Sequence, residues 1–360
     1  MNRLIKRTGL LVISVFLTAG IALANDYSIT TVAGGGASLG DGGNSSFAQL
    51  TRPSGVAVDF MGNIYIADTL NHRVRKVDIA GFITTIAGNG TKDFSGDLFT
   101  ATAAQLNNPS GIAVDTYGNV YIADSLNKRI RKIDSSGNIA TIAGSEGVVL
   151  GDGGSATSAS LKLPAALALD SNGSIYIADK ANNSIRKVDT MGNITAFAGT
   201  GTAGLFGDGA LAAKAQLNSP SGVAVDTYGN VYIADTLNNR IRKVNKAGKI
   251  TTVAGNGTAS FSGDGGKAVS AQLNNPSGVA VDADRNIFVA DTLNNCIRKI
   301  DAMGTITTIA GSTQNPQESV DTVSSQFRFP MGIAVDTSGH IFVADAGNNV
   351  IKKITQNDYP

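Results

Sequence analysis

The chain contains 360 residues, of which 29 are Lys or Arg and 28 are Asp or Glu, so its formal net charge is +1. Nucleic-acid-binding proteins carry a clear excess of basic residues, and this balance argues against that class. A single cysteine, Cys296, excludes an internal disulfide, and two histidines, His72 and His340, are too few for a histidine-rich metal site.

The first 24 residues have the layout of an export signal. A basic start, "MNRLIKR", precedes the largely apolar run Thr8–Ile21, and "ALA" follows as a small-residue cleavage site. The apolar run is shorter than the roughly 20 residues that a membrane-spanning helix needs. We therefore predict a signal peptide over 1–24 and a mature protein over 25–360, exported to the periplasm or secreted, with no membrane attachment. Removal of three basic residues changes the net charge from +1 to −2.

An aspartate that ends the sequence "IAD" or "VAD" recurs six times along the mature chain. The six are Asp68, Asp124, Asp179, Asp235, Asp291 and Asp345. Their spacings are 56, 55, 56, 56 and 54 residues, and a second aspartate stands nine residues before each of them. Such a constant register predicts six copies of one structural unit.

Each unit contains four short runs rich in Val, Ile, Tyr and Thr, separated by turn residues. In the fourth unit they are Ser221–Asp226, Asn230–Asp235, Arg240–Val244 and Lys249–Gly255. Four such strands form one antiparallel sheet, which cannot bury both of its faces alone. Packing six sheets around an axis solves this, so we predict an all-β, six-bladed β-propeller of four-stranded antiparallel blades.

The two ends of the chain favour a closed ring over an open stack of sheets. The sixth unit ends after its third strand, while a fourth-strand sequence, Ile29–Gly34, precedes the first unit. We predict that Ile29–Gly34 pairs with Val350–Thr355 and completes the last blade, because closure removes exposed strand edges. The mature chain is then a single domain.

The pattern "PSGVAVD…GNVYIADTLNNRIRKV" resembles the NHL repeat, and the likeness extends over nearly the whole mature chain. The linking sequence "FSGDGG…AQLNNPSG" is similar to a common bacterial version of it. The resemblance implies a propeller fold, but it leaves function open because the family includes binding modules, scaffolds and some enzymes.

Strand parity assigns the loops to two sides of the disc. The turns after the first and third strands are short and share one face, called here the short-turn face. The turns after the second strands share the other face with the links between blades, which hold 18 to 20 residues. Long loops in compact domains are often functional. We therefore expect a protein, peptide or carbohydrate ligand on this long-link face, bound by a monomer.

Aspartates and phenylalanines in the links are the candidate ligand residues. The aspartates are Asp41, Asp97, Asp152, Asp208 and Asp264; the phenylalanines are Phe94, Phe206 and Phe261. The aspartates could bind calcium, but each link offers one carboxylate where calcium takes 6–8 oxygens, so the favoured interpretation is that they stabilise glycine-rich turns. No cofactor is therefore predicted. The phenylalanines either anchor the links or form a stacking surface for a sugar or peptide.

Positions that repeat in every blade are expected to be structural, and positions that differ between blades are candidates for function. The recurring set represented by Asp235, Asn238 and Arg242 belongs to the first class. Blade three differs most, because "PAALALD" replaces "PSGVAVD" and Lys180 replaces Thr or Ser. Lys180 is therefore a candidate ligand residue, and Cys296 is expected to be a small packed side chain.

The favoured function is a non-catalytic binding or interaction protein. The alternative is a metal-dependent enzyme, since some six-bladed propellers of similar outline are lactonases, esterases or lyases with a metal at the channel mouth. Such chemistry requires several different ligands that converge from different blades. The first strands offer little variety, Glu146 and Glu318 lie in links, and neither histidine has a motif around it. We predict no catalytic residue and no metal ligand.

Overall fold

The protein is described here from a computed structural model, which covers residues 27–311 and 326–357. The predicted signal peptide and most of the sixth link lie outside the described residues. Six four-stranded antiparallel sheets surround a central axis, and the described residues contain no α-helix. The predicted all-β, six-bladed propeller is thus confirmed.

Every blade has an inner strand at the axis, followed outward by a second, a third and an outer strand. The inner strands are Gly55–Val58, Pro109–Val114, Pro164–Leu169, Gly222–Val225, Pro276–Val281 and Pro330–Val335. The second strands are Ile64–Asp68, Val120–Asp124, Ile175–Asp179, Val231–Asp235, Ile287–Asp291 and Ile341–Asp345. The third strands are Arg73–Val77, Arg129–Ile133, Ser184–Val188, Arg240–Val244, Cys296–Ile300 and Val350–Gln356. The outer strands of blades one to five are Ile83–Ala87, Asn138–Ala143, Ile194–Ala198, Ile250–Ala254 and Ile306–Gly311.

The outer strand of blade six comes from the start of the described chain. Tyr27–Gly34 runs antiparallel to Val350–Gln356, with Ile29 opposite Ile354 and Gly34 opposite Val350. The first and last described strands thus belong to the same blade, and the predicted closure is confirmed.

The links fill the spaces that open between blades as the sheets diverge from the axis. Each of five links forms a single 3₁₀ turn: Ser45–Phe47, Ala101–Ala103, Ala156–Ser158, Ala212–Lys214 and Ala268–Ser270. In the second link, Ala101, Ala104 and Leu106 are buried in one cluster with residues of blades one and two. Burial of a leucine contributes about 1.5–3 kcal/mol. The segment with the pattern "AxxAQL" thus packs into the core between two blades. This packing accounts for much of the link length that had suggested a functional loop.

Part of each of the five described links also covers the outer edge of the blade that follows it. Phe99–Thr100 pairs with Asn138 and Ile139 of the blade-two outer strand, and Asn44 bridges to Phe82 in the same way in blade one. A covered edge offers no free strand for pairing with another chain. The long-link face is therefore formed by the ends of the links and the turns after the second strands. The middle of each described link lies at the outer circumference of the disc.

The inner strands approach one another so closely that five of them carry glycine at the point of contact. A Cβ atom on Gly55 would lie 2.0 Å from the backbone oxygen of Ser110, and one on Gly222 would lie 2.3 Å from that of Ser277. Blade three is the exception, with Ala166 at this position. The seam between blades three and four must accommodate this methyl group, which no other seam has to do.

Candidate functional site

The axis of the ring opens on the long-link face into a cavity of about 410 Å³, called here the channel mouth. The starts of all six inner strands form its wall, and the turns after the second strands form part of its rim. One aliphatic side chain from each blade lines it further along the axis: Val56, Ile112, Leu167, Val223, Val279 and Ile333. The result is a concave, largely apolar site with a few polar groups at its rim, which is the usual form of a ligand site.

Pairs of hydroxyl groups join neighbouring blades around this rim. The pairs are Ser54 with Thr69, Ser110 with Ser125, Ser221 with Thr236, and Ser277 with Thr292. In the first, the two oxygens lie 2.6 Å apart and Thr69 donates to the carbonyl of Pro109 in the next blade at 2.8 Å. Four seams are thus closed by hydrogen bonds that leave these hydroxyl groups occupied within the fold.

Two seams lack the hydroxyl pair, and they lie opposite each other in the ring. At the seam between blades three and four the pair is replaced by Ala165 and Lys180. At the seam between blades six and one it is replaced by Met331 and Ala346. Both members of the pair change together in each case, as expected when either hydroxyl is of little use without its partner.

Lys180 lines the channel mouth and is partly buried there. Among the described residues its ammonium group has no ion pair or side-chain hydrogen bond, and burial lowers its pKa. Arg52 lines the same cavity, and its backbone N–H donates to Asn349 of blade six, which places it at the opposite seam. No acidic residue is among the described residues that line the cavity, so the channel mouth is positively charged.

Six residues at the rim, each directly before the proline of an inner strand, have left-handed backbone conformations. They are Arg52, Asn108, Leu163, Ser219, Asn275 and Phe329, with φ between 50° and 55°. Asparagine tolerates this region, whereas large side chains adopt it at a cost. Leu163 and Phe329 nevertheless occupy it and remain 39% and 45% exposed. Strain of this kind is concentrated at binding sites in proteins.

The candidate aspartates of the links lie away from the channel mouth and each pairs with a buried arginine of the next blade. The pairs are Asp41–Arg75, Asp97–Arg131, Asp152–Arg186, Asp208–Arg242 and Asp264–Arg298, each at 2.7 Å. Every aspartate precedes its arginine by 34 residues, a constant interval that could have revealed the pairing. The sixth link lacks the aspartate motif, and blade six has Lys352 in place of arginine.

The same arginines also contact the recurrent aspartates that end the second strands. Arg242 lies 3.2 Å from Asp235, and the other four such pairs lie at 3.3 or 3.4 Å with both side chains buried. Burial raises the pKa of Asp124 to about 6, against the opposing effects of a backbone N–H, Asn127 and Arg131. The arginine thus pairs with the aspartate of its own blade.

The candidate phenylalanines differ in their surroundings. The ring of Phe94 lies 3.8 Å from the guanidinium of Arg129, and that of Phe261 lies 4.7 Å from the guanidinium of Arg298. These two anchor their links by cation–π contacts. Phe206 is 78% exposed, so its ring is available to a partner. None of the three lines the channel mouth, and only Lys180 among the candidate residues does so.

The remaining residues singled out in the sequence have structural partners. The Nδ1 atom of His72 accepts the backbone N–H of Asn108 at 3.2 Å, and His340 contacts Asp336 within one turn. Cys296 is buried, which raises the pKa of its thiol well above the ordinary value, and Glu146 pairs with Arg129. Glu318 lies outside the described residues.

Two further observations concern metals and membranes. Within residues 27–311 and 326–357, no group of three or more His, Cys, Asp or Glu side chains is placed to hold a metal ion. In the same part of the chain, no helix has the length and hydropathy needed to cross a membrane.

Known proteins give the context of this architecture. A model of the teneurin NHL domain matches residues 31–95, 90–150, 148–205, 201–262 and 256–323, and a model of the NHL repeat matches residues 327–354. Protein SUPPRESSOR OF QUENCHING 1, chloroplastic, of Arabidopsis thaliana is 32% identical over 274 residues, which are 72% of this chain and 26% of that protein. The chain thus spans about a quarter of the length of this relative.

Two solved structures share the fold at low sequence identity. An auxiliary nutrient binding protein from Bacteroides ovatus has a TM-score of 0.65 at 16% identity, covering 93% of this chain and 78% of that one. Virginiamycin B lyase from Staphylococcus aureus has a TM-score of 0.53 at 15% identity, covering 91% and 99%. Because the family models match nearly all of the described residues in the register of the blades, the chain belongs to the NHL-repeat family.

Proposed function

We propose that this protein is an exported, non-catalytic binding protein that works as a monomer and holds its ligand at the channel mouth on the long-link face. The observation that carries the proposal is the cavity itself: about 410 Å³, concave, with an apolar wall and an unpaired cation at its rim. Its volume suits a small molecule or the end of a peptide or glycan.

The distribution of polar groups supports binding. Four of the six seams use their hydroxyl groups to join blades, as in Ser125 donating to the carbonyl of Pro164 at 2.6 Å. The charged groups of the described lining that remain free to meet a ligand are Lys180 and Arg52, at the other two seams. A ligand can therefore be oriented without disturbing the bonds that close the ring.

The comparisons supply two models for such a site. The Bacteroides ovatus protein is described as nutrient binding and the Staphylococcus aureus protein as a lyase, and the fold is common to both. We favour the binding function because the charged groups at this channel mouth are cations. The alternative, a metal-dependent lactonase, esterase or lyase, is tested together with it.

The experiment is a ligand screen on the mature protein with two matched variants. Leu126 is 41% exposed at the channel mouth, and Tyr117 is 83% exposed in the first turn of blade two on the short-turn face. We expect Leu126→Glu to abolish the thermal shift given by a ligand found among small acids, peptides and glycans, and Tyr117→Glu to leave it unchanged. The reverse pattern would refute the assignment of the face.

The same screen tests the alternative function. The mature protein is incubated with lactone and ester substrates in the presence of calcium, magnesium or zinc. Turnover that EDTA abolishes and that Leu126→Glu also abolishes would establish the enzyme alternative in place of simple binding.

A further inference from the structure

We propose that the channel mouth is specific for a small organic anion, and that Lys180 is the residue that pairs with the ligand's carboxylate at the seam between blades three and four. The inference rests on the proposed function and adds the chemical class of the ligand. It is carried by the geometry of one seam and by the charge of the cavity.

Four departures of blade three from the repeat lie at this seam. Ala165 and Lys180 replace the hydroxyl pair, Ala166 replaces the contact glycine, and Ala181 replaces the rim leucine. The blade keeps Asp179, Asn182 and Arg186 with their contacts, and it also differs from the repeat at Ser174 and Ser184. The four changes at the seam border a single space.

Two of the changes also shorten side chains beside Lys180. At five seams the contact glycine is required because a Cβ atom would lie 2.0 to 2.6 Å from the next inner strand. At the sixth seam, Ala166 carries such an atom and the seam accommodates it. Ala165 and Ala181 are shorter than the Ser and Leu that they replace. Lys180 is thus the one long side chain at a seam whose other members have become small.

Nothing in the described part of the cavity neutralises the charge of Lys180. The residues that line the channel mouth include no carboxylate, and burial lowers the Lys180 pKa, as expected for an ammonium group without a partner. A partly buried cation gains more from an anionic partner than an exposed one does, because water screens the interaction less. The missing partner is therefore best supplied by the ligand.

The opposite seam provides the second end of the site. Met331 and Ala346 replace the hydroxyl pair there, and Arg52 adds a guanidinium group to the rim. A ligand that extends from Lys180 across the axis crosses an apolar surface and meets a second cation. This arrangement favours a linear dicarboxylate over a monocarboxylate of the same length.

A purely structural role for Lys180 makes a different prediction. At the four hydrogen-bonded seams, a hydroxyl group donates to the carbonyl of the first proline of the next blade, which is Pro109, Pro164, Pro276 or Pro330. At the seam between blades three and four, Lys180 replaces that hydroxyl group, so the equivalent carbonyl of Pro220 lacks this donor. If the ammonium group serves only this carbonyl, replacing Lys180 changes stability and leaves binding of anions unaffected.

The test is calorimetric titration of the mature protein, at low salt, with succinate, glutarate and adipate, and with adipamide as the neutral analogue. The variant A165S/K180T restores the repeat residues and is expected to fold. K246T removes a lysine from a third-to-outer-strand turn on the short-turn face and is the control with one charge less. We expect at least one diacid to bind and adipamide not to, with affinity reduced about tenfold or more in A165S/K180T, as for loss of a partly buried charge pair. K246T should bind as the unmodified protein does.

Three results would overturn the inference. They are failure of all three diacids to bind the unmodified protein, equal binding of adipamide, and unchanged binding by A165S/K180T. If a neutral ligand from the earlier screen binds and Leu126→Glu abolishes that binding, the proposed function stands while this inference fails. If Leu126→Glu leaves every ligand bound, the proposed function itself fails.

Discussion

The ion pair between Arg242 and the link aspartate Asp208 gives the sharpest test of the architecture. The guanidinium group of Arg242 is fully buried and Asp208 is about half exposed. Both Nε and one terminal nitrogen of Arg242 donate to the Oδ1 atom of Asp208, at 3.0 and 2.7 Å. The other terminal nitrogen lies 3.2 Å from the buried Asp235. Thr252 of the outer strand donates to the other carboxylate oxygen of Asp208 at 2.6 Å, so Asp208 joins the link to both Arg242 and the outer strand.

Blade six shows a natural alternative to this pair. Lys352 replaces the arginine, lies 3.0 Å from Asp345, and donates to the carbonyl of Gln326 at 2.8 Å. We therefore compare D208A, R242K and the double variant by urea unfolding. D208A leaves two donors of a buried cation without an acceptor and should cost about 1–3 kcal/mol. R242K keeps the contact with Asp235 and leaves Asp208 with the hydrogen bond from Thr252.

The double variant shows whether Asp208 stabilises the fold through Arg242. If Asp208 acts mainly through Arg242, D208A/R242K should be little less stable than R242K alone, and the interaction energy should approach the whole D208A loss of about 1–3 kcal/mol. An exposed salt bridge would give about 0–1 kcal/mol. Additive losses within about 0.3 kcal/mol would refute the view that this aspartate supports the buried arginine.

Three further predictions follow from the seams. Deletion of Tyr27–Gly34 should lower the melting temperature strongly because it opens the ring, and a near-normal melting curve would contradict this. G222A should cost about 1–3 kcal/mol in urea unfolding because the new Cβ atom meets the Ser277 carbonyl, whereas A166G, which removes a methyl group that its seam already accommodates, should cost about 0.5–1 kcal/mol. Burial, Lys92 and Arg73 lower the His72 pKa, so the unfolded chain takes up a proton that the folded chain resists. The free energy of unfolding should therefore fall as the pH drops below about 6.5 and through the lowered pKa. H72N should remove this part of the loss, and an unchanged pH dependence in H72N would refute the role of His72.

The sequence was sufficient to predict the ring, its blade number and its closure. These features depend on patterns that recur in every copy, such as the alternation of short apolar runs with turns, and on the spare strand Ile29–Gly34. The predicted pairing differs from the observed one only at its ends, where the strands extend to Tyr27 and Gln356. A single short apolar run does not by itself define a strand, whereas six copies in the same register do.

The candidate site was harder to predict because it depends on which copies meet across a seam. Asp152 and Phe94 were selected for their place in long links, yet they serve Arg186 and Arg129 within the fold. Loop length was a misleading guide, since the wedge between diverging blades requires length of its own. Lys180 was selected because it departs from the repeat, and this criterion alone led to the channel mouth.

A repeat architecture restricts where specificity can arise. A substitution at a residue such as Asp235 disturbs a buried network on which its own blade depends, and every copy has the same need. A change at a seam affects only two neighbours, but it must remove both members of a hydrogen-bonded pair to avoid an unsatisfied hydroxyl. The two seams that changed did so in this way. Because they lie opposite each other, the ring keeps four hydrogen-bonded seams, two on each side of the axis, and the site spans the channel between the two seams that are free of that constraint.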